Sequence, residues 1–82
     1  MITIYTRPGC SRCDFTARRF ERAGLPFQLV DVEADPTAAD QLHATGYQAL
    51  PVVTTGSETW SGLDVHKIDA TIARHHGQQI AS

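Results

Sequence analysis

The sequence predicts an α/β fold: a mixed four-stranded sheet flanked by helices, in the order β-α-β-α-β-β-α. Two patterns and one size argument predict it. A short β-like run, a helical pattern and a second β-like run open the chain. Such a β-α-β unit implies a right-handed crossover between parallel strands. Later, Gly56-Ser57 separates two short β-like runs, which implies an antiparallel hairpin. At 82 residues the chain has room for one small domain. By size scaling it buries only ~60–65% of its unfolded surface.

Each element has a local reason. Residues 1–6 read as a buried strand because Ile2-Thr3-Ile4-Tyr5-Thr6 alternates apolar and polar side chains. Arg7, Pro8 and Gly9 break it. A helix is expected over 11–24, with Phe15, Ala17 or Arg18, Phe20 and Leu25 near helical spacing; Gly24 takes the position after its cap and Pro26 follows. Arg18, Arg19 and Arg22 form its solvated face. Phe27-Gln28-Leu29-Val30-Asp31-Val32 reads as the second strand. Asp35 caps a second helix with Pro36 at its first position, running through Leu42 and His43 to Gly46. Leu50 to Thr54 is the third strand, and Glu58-Thr59-Trp60 the fourth. Asp64 caps a last helix whose apolar positions are Val65, Ile68, Ile72 and Ala73. Residues 1–76 are thus expected to form the domain, and 77–82 a flexible tail.

Cys10-Ser11-Arg12-Cys13 holds both cysteines of the chain and sits where the first strand gives way to the first helix. A C-x-x-C at such a junction is the signature of a thioredoxin-like redox site. A helix N-terminus aims free N–H groups and partial positive charge at Cys10, which favours thiolate over thiol. Arg7 and Arg12 add to that field. The spacing lets the two sulfurs meet across the first turn. Cys10 is therefore expected to attack a substrate disulfide, and Cys13 to resolve the mixed disulfide. The competing readings are two small buried hydrophobes, or a thiolate pair for Cu(I).

Two further motifs accompany the pair. Leu50-Pro51 opens a strand, where a proline need not donate to the ladder. The redox reading makes that bond cis, with the backbone before Pro51 free to pair with an extended substrate. Trp60-Ser61-Gly62 ends the fourth strand. Trp60 reads either as partly buried core or, with Ser61 and Gly62, as a partner-docking surface near the thiol, with Gly62 allowing close backbone approach. His43, His66, His75 and His76 lie on expected helices as solvated positions, without metal-ligand spacing to the cysteines, and no metal site is expected.

Together these residues resemble the glutaredoxin-like redoxins, and most closely the NrdH-redoxins. Ile2 to Arg7 before Cys10-x-x-Cys13 resembles that family's opening. Gly46-Tyr47-Gln48-Ala49-Leu50-Pro51-Val52-Val53 resembles its cis-proline segment. Trp60-Ser61-Gly62 is similar to its most diagnostic motif. The resemblance covers nearly the whole chain. It implies a dithiol-disulfide oxidoreductase without a cofactor, reduced by thioredoxin reductase and donating electrons to the large subunit of class Ib ribonucleotide reductase. By the same carry-over, Arg7, Ser11, Arg12, Leu50, Pro51, Trp60, Ser61 and Gly62 would bind substrate or partner. The sequence departs from the pattern at two places. Ser11-Arg12 stands where the family usually has Val-Gln, and Leu63-Asp64-Val65-His66 where it has Phe-Arg-Pro-Asp.

Bulk properties narrow the alternatives. The formal net charge of -2 argues against nucleic acid or an anionic membrane as partner. No apolar run approaches the ~18 residues of a membrane span. Met1 leads straight into the first strand, so no signal peptide is expected, and the chain is expected as a monomer in the reducing cytoplasm. A glutathione-dependent glutaredoxin is the nearest alternative. Such proteins usually carry Gly-Gly where this chain has Ser61-Gly62, although Arg7 matches a basic position they use on a glutathione carboxylate. A copper chaperone also has a C-x-x-C after its first strand, but in the order β-α-β-β-α-β and without a proline opposite the thiols.

Overall fold

The alternation of the first residues becomes strand β1 (Ile2–Thr6) in the computed structural model, which describes residues 2–47 and 49–81, the last five by backbone alone. It is followed by α1 (Ser11–Arg22), β2 (Phe27–Asp31), α2 (Pro36–Ala44), β3 (Val52–Thr54), β4 (Thr59–Ser61) and α3 (Val65–Ala81). The sheet order is β2-β1-β3-β4. β1 and β2 run parallel, with Ile2 opposite Phe27 and Ile4 opposite Leu29. β3 is antiparallel to both β1 and β4, pairing Val52 with Tyr5 and with Ser61. The expected mixed sheet and crossover are therefore present. This topology gathers three chain ends at one edge: the exit of β1, the entry of β3 and the exit of β4.

The stop signals work as local chemistry dictates. Gly24 follows the α1 cap in the left-handed region, at φ 77°. The Asp35 carboxylate accepts from the Ala38 N–H at 3.2 Å, with Pro36 in the first turn of α2. The Asp64 carboxylate does the same for the Lys67 N–H, at 3.1 Å, where α3 begins. β3 starts two residues later than expected, and β4 is shifted one residue along, to Thr59–Ser61. The backbone of α3 runs to Ala81, past the Gly77 where the sequence places the start of a tail; Ser82 and Gln48 lie outside the described residues.

The core lies between the sheet and the α1–α3 pair. It contains Ile2, Ile4, Phe20, Leu25, Val53, Trp60 and Ile68, with Phe27 and Ile72 packed against it. Ile4, Val53 and Trp60 form one row across three paired strands. Full burial of each such side chain stabilises by about 1.5–3 kcal/mol. Three expected core positions point outward. Phe15 is 42% exposed because the buried stripe of α1 is Cys13, Thr16, Ala17 and Phe20, and Phe15 lies about 200° round from Cys13. Thr16 takes the inward place, its hydroxyl donating to the Arg12 carbonyl at 2.9 Å. Likewise Ala73 is exposed, about 140° round from Ile68, while Val65, the first residue of α3, is also exposed.

Polar ties hold the helices in place. Arg19 of α1 pairs with Asp69 of α3, so it is not merely solvated. His76, expected as a solvated position, is half-buried instead, its Nε2 2.9 Å from the Ala23 carbonyl at the end of α1. Lys67 pairs with Glu58 at 2.6 Å, joining α3 to the hairpin. The Glu58 carboxylate raises the Lys67 pKa above its ordinary value. That contribution is therefore present below the ordinary lysine pKa and is lost as pH climbs through the raised one. α2 lies over the other sheet face, where Leu42 and the buried Ala38 share a cavity wall with Tyr5 and Val52. None of the described helices is long and apolar enough to cross a membrane.

Candidate active site

The break at Arg7-Pro8-Gly9 turns the chain from the exit of β1 into α1, and Cys10 is the residue on which the helix begins. Its backbone is extended (φ −89°, ψ 101°) while its carbonyl already accepts from the Asp14 N–H at 3.1 Å. The Cys10 sulfur occupies the place of a capping oxygen, accepting from the Cys13 N–H at 3.2 Å. Cys10 and Cys13 are joined in a disulfide across this first turn, with Cα atoms 5.3 Å apart. The two cysteines differ in access. Cys10 is half-buried and borders open space, whereas Cys13 is only 1% exposed.

The neighbouring ends complete the site. The Leu50–Pro51 bond is cis, and Pro51 is buried at the entry of β3. Its carbonyl accepts from the Gly62 N–H at 2.8 Å. The motif after β4 is thus fastened by its backbone to the proline segment. Gly62 has φ 80°, and an added Cβ would meet nothing within 4 Å. The glycine is needed for its left-handed backbone rather than for the close approach that the sequence suggests.

Cys10 opens into a cleft of about 370 Å³ lined by Arg7, Gly9, Ser11, Arg12, Ala49 and Leu50. A second cavity of about 300 Å³ shares Arg7 and Leu50 with it and extends between Glu33, Leu42, His43 and Tyr47. The structure therefore brings Arg7, Cys10, Ser11, Arg12 and Leu50 to one cleft, with Cys13 and Pro51 buried beside it. Ser61 is exposed at the edge of the sheet and does not line the cleft. Trp60 is corrected outright as a docking side chain: it is 5% exposed and belongs to the core, because its partner in the ladder is Val53. No sequence motif announces the second cavity. Its walls come from the end of β2, from α2 and from the loop before β3, and no spacing in the sequence links those three segments. A larger cavity, about 490 Å³, lies among Ile2, Pro26, Arg74 and His75, without either cysteine.

The arrangement can perform two-electron thiol–disulfide exchange. It has one sulfur facing a cleft, a second held in reach behind it, and a helix start to stabilise negative charge on the first. Among the described residues, no group of three or more His, Cys, Asp or Glu is placed to hold a metal ion.

Known proteins show the same arrangement of chain. The glutaredoxin family model matches residues 2–60. The glutaredoxin-like protein NrdH of Salmonella typhimurium is 49% identical over 62 residues, 76% of each chain. Its Escherichia coli K12 counterpart is 46% identical over the same length and the same shares of each chain. The solved structure of the Escherichia coli NrdH-redoxin, described as having a thioredoxin-like activity profile, superposes with a TM-score of 0.81. It is 42% identical, and the match covers 84% of this chain and 91% of that one. The thioredoxin-like protein BC3987, at 22% identity and TM-score 0.78 over 85% of this chain and 97% of that one, shares the fold.

Proposed function

The chain belongs to the glutaredoxin family, in its NrdH-redoxin branch, and from that premise we propose that it carries electrons from a thioredoxin reductase to the C-terminal cysteine pair of a class Ib ribonucleotide reductase. It is a thiol-disulfide oxidoreductase. The observation that carries the mechanism is the asymmetry of the pair, one sulfur at the cleft and the other 1% exposed.

In the reduced protein the Cys10 thiolate attacks one sulfur of the substrate disulfide. The S–S bond breaks and the departing substrate thiolate takes a proton. Cys13, deprotonated, then attacks the Cys10 sulfur of the mixed disulfide and releases the second substrate thiol. The protein is left with the Cys10–Cys13 disulfide, two electrons poorer. An extended protein tail fits the open cleft and its neighbouring cavity, with Leu50 at their junction. The resemblance of Trp60-Ser61-Gly62 and the proline segment to the NrdH-redoxins is what supports the ribonucleotide reductase partner, and the cytoplasm is the proposed place of work. The copper-chaperone reading is set aside, because the observed element order has a helix between β2 and β3.

The electron source decides between this reading and a glutathione-dependent one, which Arg7 in the cleft favours. NADPH consumption is measured with the oxidised protein, using thioredoxin reductase in one arm and glutathione with glutathione reductase in the other. Faster turnover with thioredoxin reductase is expected. Equal or faster reduction by glutathione at cellular concentration would hand the assignment to the glutaredoxin alternative.

The roles within the pair make a separate prediction. Limited alkylation of the reduced protein at mildly acidic pH, mapped by mass spectrometry, should modify Cys10 before Cys13. The causes are its exposure and the helix N–H groups aimed at its sulfur. Faster modification of Cys13 would reverse the roles.

A further inference from the structure

The cleft at Cys10 carries a charge imbalance that the protein as a whole does not. The chain has a formal net charge of -2, yet both charged side chains lining this cleft are arginines, Arg7 and Arg12. Of the other cations, Arg19 is matched with Asp69, and Lys67 and Arg74 with Glu58, while Arg18 and Arg22 lie along α1, away from this cleft. Among the described residues Arg7 and Arg12 form no ion pair. Asp14, in the first turn of α1, is exposed and does not line the cleft. The start of α1 adds its own partial positive charge at the same spot. The adjoining cavity, which shares Arg7, gives room for residues flanking a disulfide rather than for the disulfide alone.

We propose that Arg12, together with Arg7, makes this cleft selective for disulfides in acidic peptide segments, in which carboxylates flank the attacked cysteine. The inference rests on the disulfide-reducing reading above and names its substrate class. The carboxylates meet the guanidinium groups as the cysteine reaches Cys10, so they hold the segment in register for attack. Each exposed pairing is modest, and two together favour an acidic over a neutral segment by about 3–10-fold. Salt weakens the preference, because the screening length falls from about 10 Å at 0.1 M to about 3 Å at 1 M.

The test compares kcat/KM for three peptide disulfides of one length, with acidic, neutral or basic residues beside the cysteines, at low and high salt. Arg12→Gln and Arg12→Lys proteins are measured beside the parent. An arginine near a thiolate also alters its reactivity towards every substrate, so the acidic-to-neutral ratio is the readout and not the rate. The parent should prefer the acidic peptide about 3–10-fold over the neutral one, and 1 M salt should remove the preference. Arg12→Gln leaves only Arg7 and should lower the ratio to about 2–3-fold at most, and Arg12→Lys should keep most of the parent's ratio. Equal rates for the three peptides with the parent would overturn the inference while leaving the redox reading intact. Failure to reduce any of them would sink the redox reading itself. A further arm uses oxidised glutathione against an uncharged small disulfide. A preference confined to that arm would overturn the assignment to a peptide segment.

Discussion

Cys10→Ser is expected to lower disulfide reduction by ~10³-fold or more, the scale on which removing a nucleophile acts. Cys13→Ser is expected to behave differently, stopping part-way rather than failing to start. The reason lies in where the sulfurs sit. Cys10 borders the cleft, so its loss removes the only thiol that substrate can reach. Cys13 is 1% exposed and lies within the first turn, so it meets a substrate sulfur only after Cys10 has brought one in. Without Cys13 the first exchange still runs, and one substrate thiol still leaves. The mixed disulfide through Cys10 then persists, because no second thiol is held within reach. Mixing each variant with a peptide disulfide and weighing the intact protein checks both halves. A stable adduct is expected for Cys13→Ser and none for Cys10→Ser. An adduct on Cys13 in the Cys10→Ser protein would show that the buried sulfur is accessible and that the proposed division of labour is wrong.

The features legible in the sequence were those decided by a few neighbouring residues. Asp35-Pro36 and Asp64 announce helix starts because a capping carboxylate needs only the N–H three residues on, and both caps form. The cysteine pair announces its site because two intervening residues place both sulfurs on one helical turn. Pro51 could be placed at a strand entry because a residue without an N–H fits there, and its bond is the expected cis one. What escaped depends on register between distant segments. The sequence leaves Trp60 open between core and docking surface, because nothing in Trp60-Ser61-Gly62 says which strand residue it faces; the ladder Ile4–Val53–Trp60 turns it inward under α3. Leu29 stands at the outer end of that same row, opposite Ile4, and is 55% exposed on the edge strand. The second cavity, shared by β2, α2 and the loop before β3, is tertiary in the same sense.

The burial of Trp60 leads to the largest expected effect on stability. Trp60→Ala should cost about 3–5 kcal/mol, the range for truncating a large buried aromatic. The side chain is 5% exposed and packs in the cluster formed by Ile4, Phe20, Val53 and Ile68. Against a total of about 5–15 kcal/mol for a domain, that loss approaches unfolding. Trp60→Phe separates the two sources of the cost. The indole Nε1 is buried and has no hydrogen-bond partner among the described residues. A buried donor left unpaired costs about 1–3 kcal/mol, and phenylalanine removes it while keeping a ring. The gain from deleting that N–H offsets the smaller ring volume, so Trp60→Phe should stay within about 1.5 kcal/mol of the parent. Urea unfolding followed by circular dichroism measures both, since removing the tryptophan also removes its fluorescence. Parent-like stability for Trp60→Ala would return the residue to the surface and restore its docking role. A Trp60→Phe protein as unstable as Trp60→Ala would show that the indole N–H is satisfied inside the core, as by a buried water.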